Sequence, residues 1–323
     1  IYNHQLLRQK VNQSKKYDWA SNSDTETLLA CIELWGLEET LGKAIGMFSL
    51  SVYDRKLKRI HFARDRAGEK PLFYKIESNK IYFASELKAL LAHPDLSRKI
   101  NIDALDCYLT MGYIPGELCI LSGYKKLPPA HIFTYDLRNG AQKYFKYWDL
   151  PELNFEVHKG HIDKHSLLNE LEDLLEDSVG MQMIADVPVG VLLSGGVDSS
   201  LITSMAVRNS SNVNTFCIGF PGHGHLDETS HARLIANHFG TVHTELMAAP
   251  ATAELIPSLV AQFDEPMVDS SMIPTYLVSR LVSQKCKVAL GGDGGDELFG
   301  GYGHYRKLQI VKKWKKYFPN CIS

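Results

Sequence analysis

The chain has 323 residues, more than one compact domain usually holds, and 45% of them are hydrophobic, enough for two buried cores. Its formal net charge is −2 with both signs interspersed, so composition announces neither a nucleic-acid face nor a membrane surface, and no apolar run approaches the roughly 18 residues of a membrane span. Six cysteines, Cys31, Cys107, Cys119, Cys217, Cys286 and Cys321, show no CxxC pair and no repeating spacing. That pattern fits reduced thiols in a cytosolic enzyme better than a disulfide framework or a zinc site.

Residues 1 to about 150 read as short strands with few helices. A helix is expected from Ser23 or Asp24 to about Trp35, with Ser23 and Glu26 spaced as a capping box. β-rich runs follow at Ile45 to Val52, Arg59 to Ala63, Pro71 to Ile76 and Lys80 to Ala84, the last two joined by a hairpin turn at Ser78 and Asn79. A short helix, ELKALLAH, comes after Ser85. Two layers of antiparallel sheet with helices outside suit this pattern. Within it, the charged stretch ARDRAGEKPLFY from Ala63 to Tyr74 reads as a hairpin corner held by Arg–Asp pairs.

Proline and charge between Tyr147 and His161 interrupt the pattern, and a domain boundary is placed there. A long amphipathic helix, roughly His165 to Met183, opens the second half. Strands are then expected at Val189 to Leu193, Val213 to Phe220, Thr241 to Leu246 and Lys287 to Leu290, alternating with helices at Ser199 to Arg208, Asp227 to Phe239, Thr252 to Phe263 and Ile273 to Ser283. Such alternation specifies a parallel sheet covered on both faces, with ligands at the carboxyl ends of its strands.

The motifs fall at those ends. In VPVGVLLSGGVDSS, Val187 to Ser200, a buried strand meets two glycines and a helix N-terminus, a geometry that presents backbone N–H groups to a phosphate. No Walker lysine stands there. Instead Asp198 sits in the first helical turn, where a carboxylate beside a polyphosphate requires a divalent cation between them, and magnesium takes such ligands. GGDGGDELFGGY, Gly291 to Tyr302, follows the last strand, and its Asp293, Asp296 and Glu297 are candidates to bind a cation, orient an amine or hold a base. Ile218 reads equally as a residue buried within its strand or as one that packs on a flat heterocycle. Asp264-Glu265-Pro266 and Asp269-Ser270-Ser271 are read as a further acidic loop on the same sheet edge, and His223 to His225 as a solvated loop.

SGGVDSS from Ser194 followed by GDGGDELFGGY from Gly292 resembles the synthetase domain of the glutamine-dependent asparagine synthetases. IYNH at the start, SDTE from Ser23, RDRAGEKPLFY from Arg64 and FASELKAL from Phe83 are similar to that family's N-terminal glutaminase domain. The resemblance implies an α/β protein: a partial glutaminase (class II amidotransferase) domain of Ntn-hydrolase type over residues 1–150, with a two-layered antiparallel sheet, then a Rossmann-like, parallel-sheet ATP-pyrophosphatase domain over 160–323. It implies a ligase that adenylates the side-chain carboxylate of aspartate and lets ammonia from glutamine displace AMP.

On that resemblance Ser194, Gly195, Gly196, Asp198, Ser199 and Ser200 hold the pyrophosphate end of ATP. Asp198 and Asp296 hold magnesium, and Leu192, Ile218, Gly291 and Gly292 line the nucleoside pocket. Asp293 stands where many members carry a glutamate and joins Asp198 and Asp296 as a catalytic candidate, while Asp24 takes the amino group of glutamine. The expected cofactors are ATP and magnesium and the expected partners are small-molecule substrates, with a homodimer allowed, neither nucleic acid nor membrane expected, and a cytoplasmic location. The family's glutaminase cysteine, its arginine and its Asn-Gly pair precede IYNH. With Ile1 at position 1, the expectation is a piece of a longer protein, lacking that cysteine and the C-terminal part, whose glutaminase half is inactive as it stands. Rival expectations are a relative that amidates another carboxylate, such as a uronic acid, an RNA-modifying ATP pyrophosphatase, and a binding protein without catalysis.

Overall fold

A computed structural model describes residues 1–152, 163–219, 227–248 and 254–317. The chain divides into two compact units, one of Ile1–His161 with Thr252–Ile273, the other of Ile162–Ala251 with Pro274–Ser323.

The first unit opens with three helices, α1 (His4–Ser14), α2 (Asp24–Trp35) and α3 (Leu37–Lys43). Its strands are β1 (Ser49–Asp54), β2 (Arg59–Arg64), β3 (Phe73–Glu77) and β4 (Lys80–Ala84), then, after α4 (Leu87–Leu91) and α5 (Ile102–Met111), β5 (Tyr124–Lys126), β6 (His131–Asp136) and β7 (Gln142–Lys146). They form two antiparallel sheets, of order β1-β2-β6-β7 and β4-β3-β5. Strand geometry sends successive side chains to opposite faces. Thus Phe62 on β2 and Phe133 on β6 meet Leu72 and Tyr74 from the other sheet, while Ala63 and Ile132, one residue along, pack under Leu7, Val11, Ala30 and Leu41 of the three helices. The expected two layers with helices outside are therefore present.

Local signals explain much of this unit. Ser78 and Asn79 both have positive φ, 49° and 62°, and connect the paired residues Glu77 and Lys80. This two-residue turn matches the strand twist. The expected capping box at α2 forms only in part: Ser23 accepts from Thr25 N at 3.2 Å, but Glu26 reaches past Ser23 to the amides of Ala20 and Ser21, both at 2.8 Å. The corner Ala63 to Tyr74 is likewise held differently from expectation. Buried Asp65 accepts from the backbone amides of Phe48, Glu69 and Lys70, and Arg64 donates to the carbonyls of Gly68, Lys70 and Leu127. Backbone groups, not Arg–Asp pairs, satisfy these charges.

The second unit contains α6 (Lys164–Gln182), β8 (Val189–Leu192), α7 (Val197–Asn209), β9 (Asn214–Gly219), α8 (Thr229–Phe239) and β10 (Val242–Met247). After α9 (Leu255–Gln262), which belongs to the first unit, come α10 (Met272–Val282), β11 (Val288–Leu290), α11 (Gly295–Phe299) and α12 (Gly303–Tyr317). The strands are all parallel, in the order β10-β9-β8-β11. Val191 packs with α6 and α7 on one face, while Leu192, Phe216 and Ile218 pack with Val278 and Val282 of α10 on the other. The sheet is covered on both sides, which is why β8 reads as an unbroken apolar run.

The loop Asp264 to Ser271 corrects the sequence reading. It groups with the first unit, not with the edge of the parallel sheet. Asp264 accepts from Lys88 N at 3.1 Å, and Glu265 accepts from Ile120 N at 2.8 Å and from Lys126 Nζ at 2.7 Å. Asp269 closes its own turn onto Ser271 N at 2.8 Å. Their carboxylates hold the backbone in place. Pro221, Gly222 and the histidines 223–225 lie outside the described residues.

Candidate active site

In the strand order β10-β9-β8-β11, successive connections from β8 run first to one side, through β9 and β10, and then to the other, where β11 pairs with β8. Loops leaving the carboxyl ends of β8 and β11 therefore diverge, and a crevice opens between them. A cavity of about 500 Å³ occupies that place. Its walls include Leu192, Ser194, Gly196, Asp198 and Ser199 from the first motif, Ile218 from β9, and Gly291, Gly292, Asp293 and Asp296 from the last.

The two motifs meet at Asp198. A Cβ placed on Gly292 would lie 2.9 Å from Asp198 Cβ, and one on Gly295 would lie 2.8 Å from Asp198 Cγ. Only glycine lets the second loop close over this carboxylate, and the next residue after Gly295 is Asp296. Both aspartates line one cavity.

Beneath them the glycine turn is tied together by its own hydroxyls. Ser194 Oγ and Ser199 Oγ are 3.0 Å apart, Gly196 N donates to Ser194 Oγ at 3.2 Å, and Ser199 Oγ donates to Gly196 O at 3.3 Å. Helix α7 begins at Val197, so its first amides have no intrahelical acceptor and add the positive end of the helix dipole to the cavity wall.

Two predicted residues do not line the cavity. Gly195, at φ +85°, turns toward α8, where a Cβ would fall 2.6 Å from His231 Cβ. Its role is to let helix and turn approach. Ser200 lies one position past the exposed turn, its Oγ buried without a hydrogen-bond partner. The cavity also has walls that the motifs did not announce: Phe216, Cys217, Glu228 and Val278. Phe216 and Cys217 precede Ile218 on β9, and their burial was readable from the strand pattern. Val278 comes from α10, which no local signal ties to a ligand. Burial pushes the Cys217 thiol up to about 11, so it remains protonated at neutral pH.

Asp24 belongs to the first unit, as the first residue of α2. Its carboxylate accepts from the Ile1 amine at 2.6 Å.

Residues 1–148 match the glutamine amidotransferase domain family, and residues 170–321 match the asparagine synthase family. An asparagine synthetase [glutamine-hydrolyzing] 1 from Bacillus subtilis is 35% identical, the match covering 98% of this chain and 49% of that protein. Asparagine synthetase [glutamine-hydrolyzing] 3 of the same organism is 30% identical, over 96% of this chain and 52% of the relative. Asparagine synthetase B from Escherichia coli is also 30% identical, over 97% and 53%. The chain spans about half the length of these curated relatives. With a glutamine amidotransferase domain followed by an asparagine synthase domain, and this likeness along nearly all of its length, the chain belongs to the glutamine-dependent asparagine synthetase family.

Proposed function

We propose that the cavity at the end of the parallel sheet is the ATP site of an asparagine synthetase, and that the first unit, over residues 1–150, is its glutaminase partner. The observation that carries the reading is Asp198, lodged against Gly292 and Gly295, with Asp296 lining the same cavity. Two carboxylates together with phosphate oxygens are a donor set suited to magnesium, and Asp198 and Asp296 are the residues that would hold it. When bound, magnesium would screen the phosphate charge and favour departure of pyrophosphate.

The chain's own groups have separate tasks. The amides of the turn and of α7, with the hydroxyls of Ser194 and Ser199, receive the pyrophosphate end of ATP. Leu192, Ile218, Phe216 and the glycine backbone at Gly291 and Gly292 enclose the nucleoside. A side-chain carboxylate oxygen of aspartate attacks the α-phosphorus, and the bond to pyrophosphate breaks. Ammonia then adds to the acyl carbon, loses a proton and expels AMP. Asp293, at the mouth of the glycine turn, is placed to orient the ammonia or take that proton. Asp24, the first residue of α2, receives the amino group of glutamine in the first unit.

The names of the relatives support aspartate over a uronic acid as acceptor. The test is ATP–pyrophosphate exchange on the full-length protein. Aspartate is expected to drive label into ATP and galacturonate is not. The opposite preference would overturn the assignment of the acceptor.

A further inference from the structure

Five carboxylates face the cavity: Asp198, Glu228, Asp293, Asp296 and Glu297. If Asp198 and Asp296 serve the metal, three acids remain in a chamber that must also admit an anionic acceptor. Anion beside anion is repelled unless a cation lies between them, and an acceptor can bring its own.

Glu297 is the remaining acid that the fold orients most firmly. Helix α11 stops at Gly300, whose φ of +70° is open to glycine at low cost. The chain then doubles back through Gly301, whose amide donates to Asp296 O at 3.0 Å. That reversal returns Tyr302 to the helix it has just left, and its hydroxyl donates to Glu297 Oε1 at 2.7 Å. Tyr302 is itself flanked by His304, with ring centroids 5.2 Å apart and nearly parallel. The Gly-Gly pair thus works as a fold-back that sets one tyrosine on one glutamate at the wall of the nucleotide cavity. By contrast, Asp293 lies against the backbone of its own turn at Gly291, and Glu228 stands at the start of α8 with no side-chain cap bond.

We propose that Glu297, oriented by Tyr302, is the recognition point for an ammonium group on the acceptor, so that the cavity selects an α-amino acid over a carboxylate that lacks a cation. This rests on the reading of the cavity as a site of ATP-dependent carboxylate activation. It adds the feature that separates aspartate from a uronic acid within that chemistry. Tyr302 is a positioning residue: it fixes one oxygen of Glu297 and leaves the ammonium to the carboxylate.

The experiment is ATP–pyrophosphate exchange on the full-length protein with aspartate, with succinate, which is aspartate without its amine, and with galacturonate, for the wild type, Glu297→Gln and Tyr302→Phe. Glu297→Gln is expected to raise KM for aspartate about 30-fold, as loss of one partner of a charge-assisted contact does, while KM for ATP stays within about twofold. Preference for aspartate over succinate should narrow by a similar factor. Tyr302→Phe should give the same pattern at about threefold, because only orientation is lost. An unchanged KM for aspartate in Glu297→Gln overturns the inference and leaves the ATP site standing. An equal loss of ATP and aspartate affinity also overturns it, since Glu297 would then serve the nucleotide or its metal. No exchange by the wild type with any of the three acids would instead sink the underlying reading of the cavity.

Discussion

Two charged stretches beside strands, Arg64 to Tyr74 and Gly291 to Tyr302, behave in opposite ways. In the first, Asp65 is buried and takes three backbone amides, and Arg64 covers three backbone carbonyls. In the second, Asp293, Asp296 and Glu297 stand on the wall of a cavity. The lesson concerns hydrogen-bond capacity. A charge saturated by the backbone is scaffolding, whereas a charge held in place but facing a cavity has capacity left for a ligand.

That contrast can be broken most directly at its two aspartates. Asp198→Ala is expected to lower ATP–pyrophosphate exchange about 10³-fold, with thermal unfolding scarcely moved. A large fall in Tm with activity retained would put Asp198 in the scaffolding class. Asp65→Ala should do the reverse: three orphaned amides in a buried corner cost about 4 kcal/mol of stability, read by chemical denaturation. A stable Asp65→Ala protein would mean that the corner is held by something else.

A third case tests whether the loop Asp264 to Ser271 belongs with the corner or with the cavity. Lys126→Met leaves Glu265, only 15% exposed, with its Ile120 amide but without its cation. A loss of about 2–3 kcal/mol in stability is expected, with KM for ATP unchanged. A rise in KM for ATP without destabilisation would move the loop to the functional side.

The smallest effect is a pH dependence shared by both units. Burial is the main cause that holds His61 and His243 below the ordinary imidazole range, partly offset by Asp54 and Glu245 respectively. In the unfolded chain they take up protons near pH 6.5. The unfolded state therefore binds more protons as pH drops through 6.5, and stability falls with it. Tm measured between pH 7.5 and 5.5 should decline, and His243→Gln should flatten part of that slope. An acid-insensitive Tm would show that these rings reach solvent.

Legibility in the sequence followed the range of the signal. The turn at Ser78 and Asn79, the strand at Val189, and the glycine-rich turn that leads into Asp198 are written within a few residues, and the structure contains them. Phe216 and Val278 reach the cavity only through sheet order and helix packing, which no window of the chain displays. The acids at 264 and 265 misled because an acidic loop between two elements of a parallel sheet looks the same whether it faces a ligand or a lysine on another part of the fold.

The excursion of residues 252–273 into the first unit has a practical outcome for anyone who would study the halves apart. Because the chain visits that unit twice, no single break separates the two. A second half expressed alone would carry Glu265 bereft of Lys126 and the apolar side of α9 bereft of its neighbours. Such a piece is expected to be sticky in solution for reasons unrelated to its cavity.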